Sequence, residues 1–376
     1  MKIFNKNEWK KVKLGDICEV LDSKRVPISE ENRIKGEYPY YGANGIQGYI
    51  NDYIFDEELV LLAEDGGNFG SKTKPIAYKI SGKTWVNNHA HVLKAKDEII
   101  STDFLLYWLM FYDVTKLITG TTRKKLTRAG MEKITLSIPT LSIQNKITDY
   151  LQKIESFISF RKYQLSFLKE LNKSLFRKYS KSQKTKNLEL GGICEFIKDG
   201  THQTPIYVDN KKDSFKFLSS KDISKGIINW DNTKYIGKEL HKELQKKISP
   251  KKNDILLAKN GTTGIAALVD KDEVFDIYVS LAILRLKDGY HPKYILEGIN
   301  SVETNQQFKR SLKGIGVPNL HLAEIKKVKI PVPPIDLQNK FAEKVEKIEK
   351  LKFEIEKSIE TAQNLYDSLI SKYFDN

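Results

Sequence analysis

Leu141-Ser-Ile-Gln-Asn-Lys-Ile147 and Ile335-Asp-Leu-Gln-Asn-Lys-Phe341 are two versions of one heptapeptide, set 194 positions apart (335 − 141) in a chain of 376 residues. The offset persists around them: Gly120 falls with Gly314, Leu126 with Leu320, Pro139 with Pro333 and Ile154 with Ile348. Upstream, Leu14-Gly-Asp-Ile-Cys-Glu-Val20 echoes Leu190-Gly-Gly-Ile-Cys-Glu-Phe196. Internal similarity over nearly half a chain implies two copies of one fold, able to engage two similar targets at a fixed separation.

Each heptapeptide opens a helix. It follows an apolar strand closed by proline, Ile134 to Pro139 and Val328 to Pro334, and proline neither continues a strand ladder nor sits inside a helix. Steps of four and three from Ile147 reach Leu151, Ile154, Ile158, Arg161, Leu165, Leu168, Asn172, Leu175 and Tyr179. The same steps from Phe341 reach Val345, Ile348, Lys352, Ile355, Ile359, Ala362, Tyr366, Leu369 and Tyr373. These are heptad seams, in register under the offset, and each is the natural partner of the other. A lone surface helix is the simpler alternative. A seam from 147 to 179 spans about 48 Å at about 1.5 Å per residue, roughly fourteen base pairs of B-DNA. Antiparallel pairing would relate the flanking domains by a pseudo-two-fold axis, as on duplex DNA; linker lengths also allow parallel pairing. Four segments result: residues 1–140, mixed strands and helices; 141–184, helix; 185–334, mixed; 335–376, helix.

Composition narrows the class. The net charge of +15 and pI of about 9.3 favour a polyanionic partner, although a Lys-, Asn- and Ile-rich composition bias produces the same sum. No apolar window is long enough to span a membrane, and the first residues lack the apolar core of a signal peptide. The two cysteines, Cys18 and Cys194, hold one repeat position and read as small buried apolar residues. A reducing, cytoplasmic location is expected. Cys18 to Leu62 spans 44 positions and Cys194 to Leu257 spans 63, so the scaffold is shared and the connecting surfaces diverge.

Polar, glycine-containing loops supply candidate contacts. Tyr38 to Tyr49 includes Tyr41, Asn44 and Gln47. Asn and Gln offer the donor and acceptor pair that matches adenine in the major groove, and Asn-Gly is equally a hairpin turn. The run Leu61 to Lys74, with Asn68, Lys72 and Lys74, could present backbone N–H groups to phosphate; its second copy holds Lys259, Asn260, Thr262 and Thr263. Trp85 to His91 contributes Asn88 and His89; metal binding through His89 and His91 is disfavoured, because no Cys or carboxylate cluster accompanies them in the sequence. Thr119 to Arg128 packs Arg123, Lys124, Lys125 and Arg128 among hydroxyls, which suits phosphate oxygens; a solvated turn is the alternative. In the second copy Thr201, His202, Lys221 and Lys313 hold comparable places.

Neither Gly-rich loop is a phosphate-binding Gly-Lys-Ser/Thr loop, and no Gly-rich loop is followed by an acidic ribose ligand. No nucleophile elbow or Cys/His pair stands out, and Val332-Pro-Pro-Ile335 lacks the polar residue of an adenine methyltransferase tetrapeptide. No catalytic, cofactor or metal residue is assigned, and no enzyme activity is expected of the chain alone.

The ordered repeat resembles the specificity (S) subunits of type I restriction–modification systems over essentially the whole chain. The resemblance rests on the twice-repeated Pro-strand and Gln-Asn-Lys step, on Tyr41-Gly-Ala-Asn-Gly-Ile-Gln-Gly48, on Asp199-Gly-Thr-His202 and on the Leu-Leu-Ala strands. It implies an α+β fold with two pseudo-symmetric mixed α/β target-recognition domains, separated by two long helices in an antiparallel coiled coil. It further implies a non-catalytic subunit that reads a bipartite, asymmetric double-stranded DNA target. Its coiled coil would set the gap and dock two methyltransferase (M) subunits, which carry S-adenosylmethionine. Restriction/translocase (R) subunits, with ATP and Mg, complete the nuclease. The seam residues Ile147, Leu151, Ile154, Ile158, Leu165, Leu168, Leu175, Phe341, Val345, Ile348, Ile355, Ile359, Tyr366 and Leu369 are then expected to hold coil and partners. With Asn376 close behind the second helix, completion of the first domain is expected to rely on N-terminal residues. A recognition module of another DNA-modifying or defence complex, or a coiled-coil scaffold without DNA, are the alternatives.

Overall fold

The glutamine of the repeated heptapeptide is a buried amide, and a buried amide must find partners. In the computed structural model, which describes residues 5–71, 73–120, 124–209, 213–312 and 319–374, Gln144 and Gln338 are 0% and 1% exposed. Gln144 Nε2 donates to the carbonyls of Ile99 (2.9 Å) and Pro139 (3.0 Å), and its Oε1 accepts from Ser101 N–H at 3.0 Å. Gln338 Nε2 donates to Pro333 O at 2.8 Å and its Oε1 accepts from His291 N–H at 2.9 Å. Ser101 and His291 are the N-caps of helices Thr102–Met110 and Pro292–Ile299. One side chain in each copy therefore joins a strand exit, the long helix and the start of a domain helix.

The chain forms two compact units, Met1–Lys162 with Glu356–Asn376, and Tyr163–Ile355. In the first unit the order is β1 (Lys10–Lys13), α1 (Leu14–Ile17), β2 (Cys18–Val20), β3 (Tyr38–Gly42), β4 (Gly45–Ile50), β5 (Phe55–Asp56), β6 (Leu59–Ala63), β7 (Ala77–Ile80), β8 (Lys83–Val86), β9 (Ala90–Ala95), α2 (Thr102–Met110), α3 (Arg128–Glu132), β10 (Thr135–Ile138) and the start of α4 (Leu141–Ser180). One sheet is antiparallel, in the order β2-β9-β6-β7; a second, β4-β3-β8-β5, has β3 parallel to β8; β1 pairs with β10. Strand β6 is buried along its whole length. By the two-residue period of a strand, Val60 and Leu62 face the core under α2, while Leu59 and Leu61 face a second core with Phe55 and Val86.

The second unit repeats this frame with β11 (Lys186–Glu189), α5 (Leu190–Ile193), β12 (Cys194–Asp199), β13 (Tyr207–Val208), β14 (Ser214–Leu218), β15 (Lys234–Gly237), α6 (Lys238–Lys247), β16 (Ile255–Ala258), β17 (Ala266–Leu268), β18 (Phe275–Ile277), β19 (Leu281–Leu286), α7 (Pro292–Ile299), α8 (Val302–Arg310), α9 (Leu322–Lys327), β20 (Lys329–Val332) and the start of α10 (Ile335–Phe374). Sheet β12-β19-β16-β17 and pair β11·β20 match their counterparts. The other sheet, β13-β15-β14-β18, keeps a parallel pair (β14 with β18) but has different edges. The longer stretch between Cys194 and Leu257 holds edge strand β13 and helix α6, while β15 pairs with β14 as β4 does with β3. Cys18 and Cys194 are free and buried, and burial pushes each thiol up to about 12.

The long helices run antiparallel. In the first unit Ile147 and Leu151, near the start of α4, share a core with Leu369, Tyr373 and Phe374 at the end of α10. Tyr366 and Tyr107 both donate to Glu155, at 2.7 and 2.9 Å. Trp9, from the N-terminal segment, stacks on Tyr373, with ring centroids 5.9 Å apart, and Phe374 packs against Phe104 and Trp108. In the second unit the end of α4 meets the start of α10: Phe176 and Tyr179 pack on Phe341. Ile158, Val345, Ile348 and Ile355 are buried, and Ile154, Leu165, Leu168, Leu175 and Ile359 half-buried. The seam residues at both ends of the helix pair lie in the cores of the two units, and those between are buried or half-buried.

Replacing Gln144 by Ala should strand the Ser101 N–H and two carbonyls and cost about 3 kcal/mol of unfolding free energy, measured in urea. A loss under about 0.5 kcal/mol would show that the amide network is dispensable.

Candidate nucleic-acid interface

Four loops of the first unit are drawn into one hydrogen-bonded cluster. The β3–β4 hairpin turns at Ala43-Asn44, with Gly45 at φ +111°; the Asn-Gly step is a turn, and it also carries an exposed polar side chain. Asn44 Nδ2 donates to Gly66 O at 2.9 Å, and Asn68 Nδ2 donates to Asn44 Oδ1 at 3.2 Å and to Pro75 O at 3.3 Å. Asn87 Nδ2 donates to Gln47 Oε1 at 3.0 Å. His89 Nδ1 lies 2.6 Å from Asp65 Oδ1, and Asp65 forms a β-bridge with Lys125. Tyr41 packs against Tyr78, whose hydroxyl donates to the Gly42 carbonyl. Asn88, Lys74, Lys124 and Arg128 are exposed, with Arg128 2.8 Å from Glu132. Lys72, Arg123 and Lys313 lie outside the described residues.

Beneath this surface lies a charged group that sequence reasoning missed. Arg25 Nη1 meets Glu64 Oε2 at 2.6 Å and the Ala90 carbonyl at 2.7 Å, and Lys125 Nζ meets Glu64 Oε1 at 2.8 Å. Buried His91 has Asp22 Oδ2 at 2.6 Å and the Leu126 carbonyl at 2.8 Å on its two ring nitrogens. The ligand atoms of Asp22, Glu64 and His91 lie within 4.8 Å of one another, but their negative charge is already met by Arg25 and Lys125. His89 and His91 do not converge; each is tied to a different carboxylate. Burial raises the Asp22 pKa, but the His91 hydrogen bond and charge, the Val92 N–H and Arg25 outweigh it and hold the carboxyl below its ordinary 3.8. Glu64 follows the same pattern, with burial overcome by Lys125, Arg25 and His91, and sits below 4.5. The network ties Lys125 and Leu126 to the ends of β6 and β9.

In the second unit the residue after Leu-Leu-Ala is Lys259, where the first has Glu64. Lys259 is 5% exposed and its ammonium lies 2.7 Å from Asp199. This corrects its assignment as a phosphate contact: the charge is enclosed and already neutralised. Thr201, exposed His202 and exposed Lys221 remain at the surface, with His202 Nε2 3.3 Å from Asp199. Thr262 Oγ1 donates to Ser220 O at 3.4 Å, Thr263 Oγ1 to Gly261 O at 3.3 Å, and Asn260 bridges Asn319. The missed groups, Arg25, Asp65 and Asn87, have no motif of their own; only the fold brings them to the predicted loops.

Two repeated α+β units, divergent polar loops on a common frame and an antiparallel helix pair define a two-part recognition protein. The family model for the type I restriction modification DNA specificity domain matches residues 6–170 and 182–362, and the chain belongs to that family. It is 29% identical to a Haemophilus influenzae protein ascribed to the type I restriction enzyme specificity subunits, over 96% of this chain and 93% of that one. It is 21% identical to the EcoBI specificity subunit of Escherichia coli, over 98% and 86%. Its fold matches the S subunit of a type I restriction–modification system from M. genitalium, with a TM-score of 0.62 at 15% identity over 100% and 98% of the two chains. A second solved chain, from work on complex assembly and conformational transition of the type I R-M system, matches with a TM-score of 0.59 at 15% identity over 97% of each. Among the described residues no helix is long and apolar enough to cross a membrane.

Because the Asp22 and Glu64 carboxyls titrate lower in the folded chain, their stabilisation is full above the ordinary values and is lost as pH falls through the lowered ones. Urea midpoints measured from about pH 5 to pH 2 should fall, and Asp22→Asn should flatten the fall; an unchanged slope would contradict the network's role.

Proposed function

We propose that this chain is the non-catalytic DNA-reading subunit of a type I restriction–modification assembly, each unit reading one half of a bipartite duplex target. The observation that carries the reading is the pairing of one shared frame with two different loop sets. A frame kept for assembly and loops free to vary are what a two-site reader requires. In the first unit Asn44, Gln47, Asn68, Asn88 and His89 offer groups for base edges, while Lys74, Lys124, Lys125 and Arg128 suit phosphates. In the second, Thr201, His202, Lys221, Asn260, Thr262 and Thr263 hold the corresponding places. Catalysis then belongs to partners: methyltransferase subunits with S-adenosylmethionine, and restriction subunits with ATP and Mg. The cytoplasm is the compartment where chromosomal DNA and these partners meet.

The seam is spent on the helix pair, so the methyltransferase docks on an outer face of α4. Phe157, Phe160, Tyr163, Phe167 and Leu171 are 37–68% exposed there and recur at steps of three and four, the pattern of an apolar helix stripe.

Duplex affinity measured against salt is the test of the DNA reading: it should fall on the order of a hundredfold or more between about 50 and 200 mM salt, and a flat dependence would sink it. Phe160→Glu with Phe167→Glu should abolish co-purification with the methyltransferase while leaving the unfolding midpoint unchanged. Retained association would remove the stripe from the interface.

A further inference from the structure

Gln47 is the extra residue of a β-bulge. In the β3–β4 ladder Tyr40 faces Gly48 and Tyr41 faces Ile46, so Gln47 has no partner across the hairpin. A bulge bends its strand and re-aims the side chain it carries. Three contacts then hold this residue. Its amide lies against Gly42, where an added Cβ would come within 2.3 Å of Nε2. The Arg33 guanidinium, stacked 4.1 Å over the Tyr40 ring, donates to the Gln47 backbone carbonyl at 3.3 Å. The third contact comes from Asn87, and it sets polarity as well as position.

The polarity follows from a group that can only donate. The His89 backbone N–H donates to the Asn87 side chain at 2.8 Å, so the accepting atom must be Oδ1. The other end of the Asn87 amide is therefore the NH2, and it points at Gln47 at 3.0 Å. Gln47 must meet it with Oε1, which leaves the Nε2 hydrogens with no acceptor among the described residues. Asn87 is 3% exposed, its backbone is held by the Tyr41 carbonyl at 3.0 Å, and a turned amide would set its NH2 against the His89 N–H, so its orientation is fixed. Gln47 itself is exposed. It borders a cleft of about 300 Å³ lined also by Arg33, Tyr40, Asn88 and His89.

Resting on the DNA-reading function above, we infer that Gln47 is a specificity-determining residue of the first unit, held as a one-way donor, with Asn87 as its positioning residue. In the major groove a donor is satisfied by purine N7, guanine O6 or thymine O4, whereas cytosine offers only its N4 amine. One position of the first half-site should therefore accept adenine, guanine or thymine on the strand that is read, and reject cytosine.

Selection of the full chain on a library of duplexes with randomised sequence tests this. The wild-type chain should yield a motif in which one position excludes cytosine. Gln47→Glu, which has only acceptors, should bind the wild-type site about tenfold more weakly and shift that position to cytosine or adenine, leaving the rest of the motif intact. Asn87→Asp should make the same shift, because Gln47 must turn its NH2 toward the new carboxylate and expose Oε1. If Asn87 were merely structural, Asn87→Asp would weaken all sequences alike with the motif unchanged, and that result overturns its positioning role. A Gln47→Glu motif identical to the wild type would overturn the inference while leaving DNA recognition standing. No enriched motif from the wild-type chain would overturn the recognition function itself, and the inference with it.

Discussion

A single buried amide in each copy is the constraint on which the frame depends. Gln144 and Gln338 satisfy themselves only where a proline-closed strand ends, a long helix begins and a domain helix is capped. An unsatisfied buried amide is expensive, so the three elements must meet in one geometry. Fixing the first turn of a 40-residue helix against its domain also fixes the direction of that helix. The far end is held by aromatic packing: Tyr373 and Phe374 enter the core of the first unit, and Phe176 enters that of the second. Each recognition unit is thus closed by the helix that the other begins.

This reciprocity separates what has to stay from what is free to change. The sheet through β6 has its counterpart in the sheet through β16, strand for strand, and each of the two central strands is buried on both faces. The neighbouring sheets share only a parallel pair and differ at their edges. Even the charge after the Leu-Leu-Ala strand is reversed, from Glu64 with Arg25 and Lys125 to Lys259 with Asp199. Either sign works because each is neutralised from within. What the frame demands at that position is a closed ion pair; the surface above it is unconstrained.

Much of the frame was legible in the sequence because it depends on periodicity. The heptad seams and the proline exits repeat at one offset, the paired cysteines at a shorter one, and the elements they imply are present in both units. The interface was legible only in outline. Asn44, Gln47, Asn68 and His89 were visible as polar residues in glycine-containing loops, and the structure ties them into one cluster. Arg25, Arg33 and Asn87 were invisible because their roles come from strand pairings far apart in sequence: Asn87 reaches Gln47 only across the parallel β3·β8 contact. Lys259 was misread for the same reason, since its enclosure depends on Asp199, 60 residues earlier. The heptad count marks residues that are buried or half-buried along α4 and α10, but it carries no signal for the exposed aromatic residues beside them.

We propose that the two units, built on one frame, read the two halves of one DNA target. Mapping methylated bases in the DNA of a host that carries this chain with its methyltransferase tests it most directly. One bipartite motif is expected, two short defined half-sites around an undefined gap of constant length. Exchanging the second unit's loops for those of a relative should change one half only. A single uninterrupted motif, or a gap that varies from site to site, would contradict it.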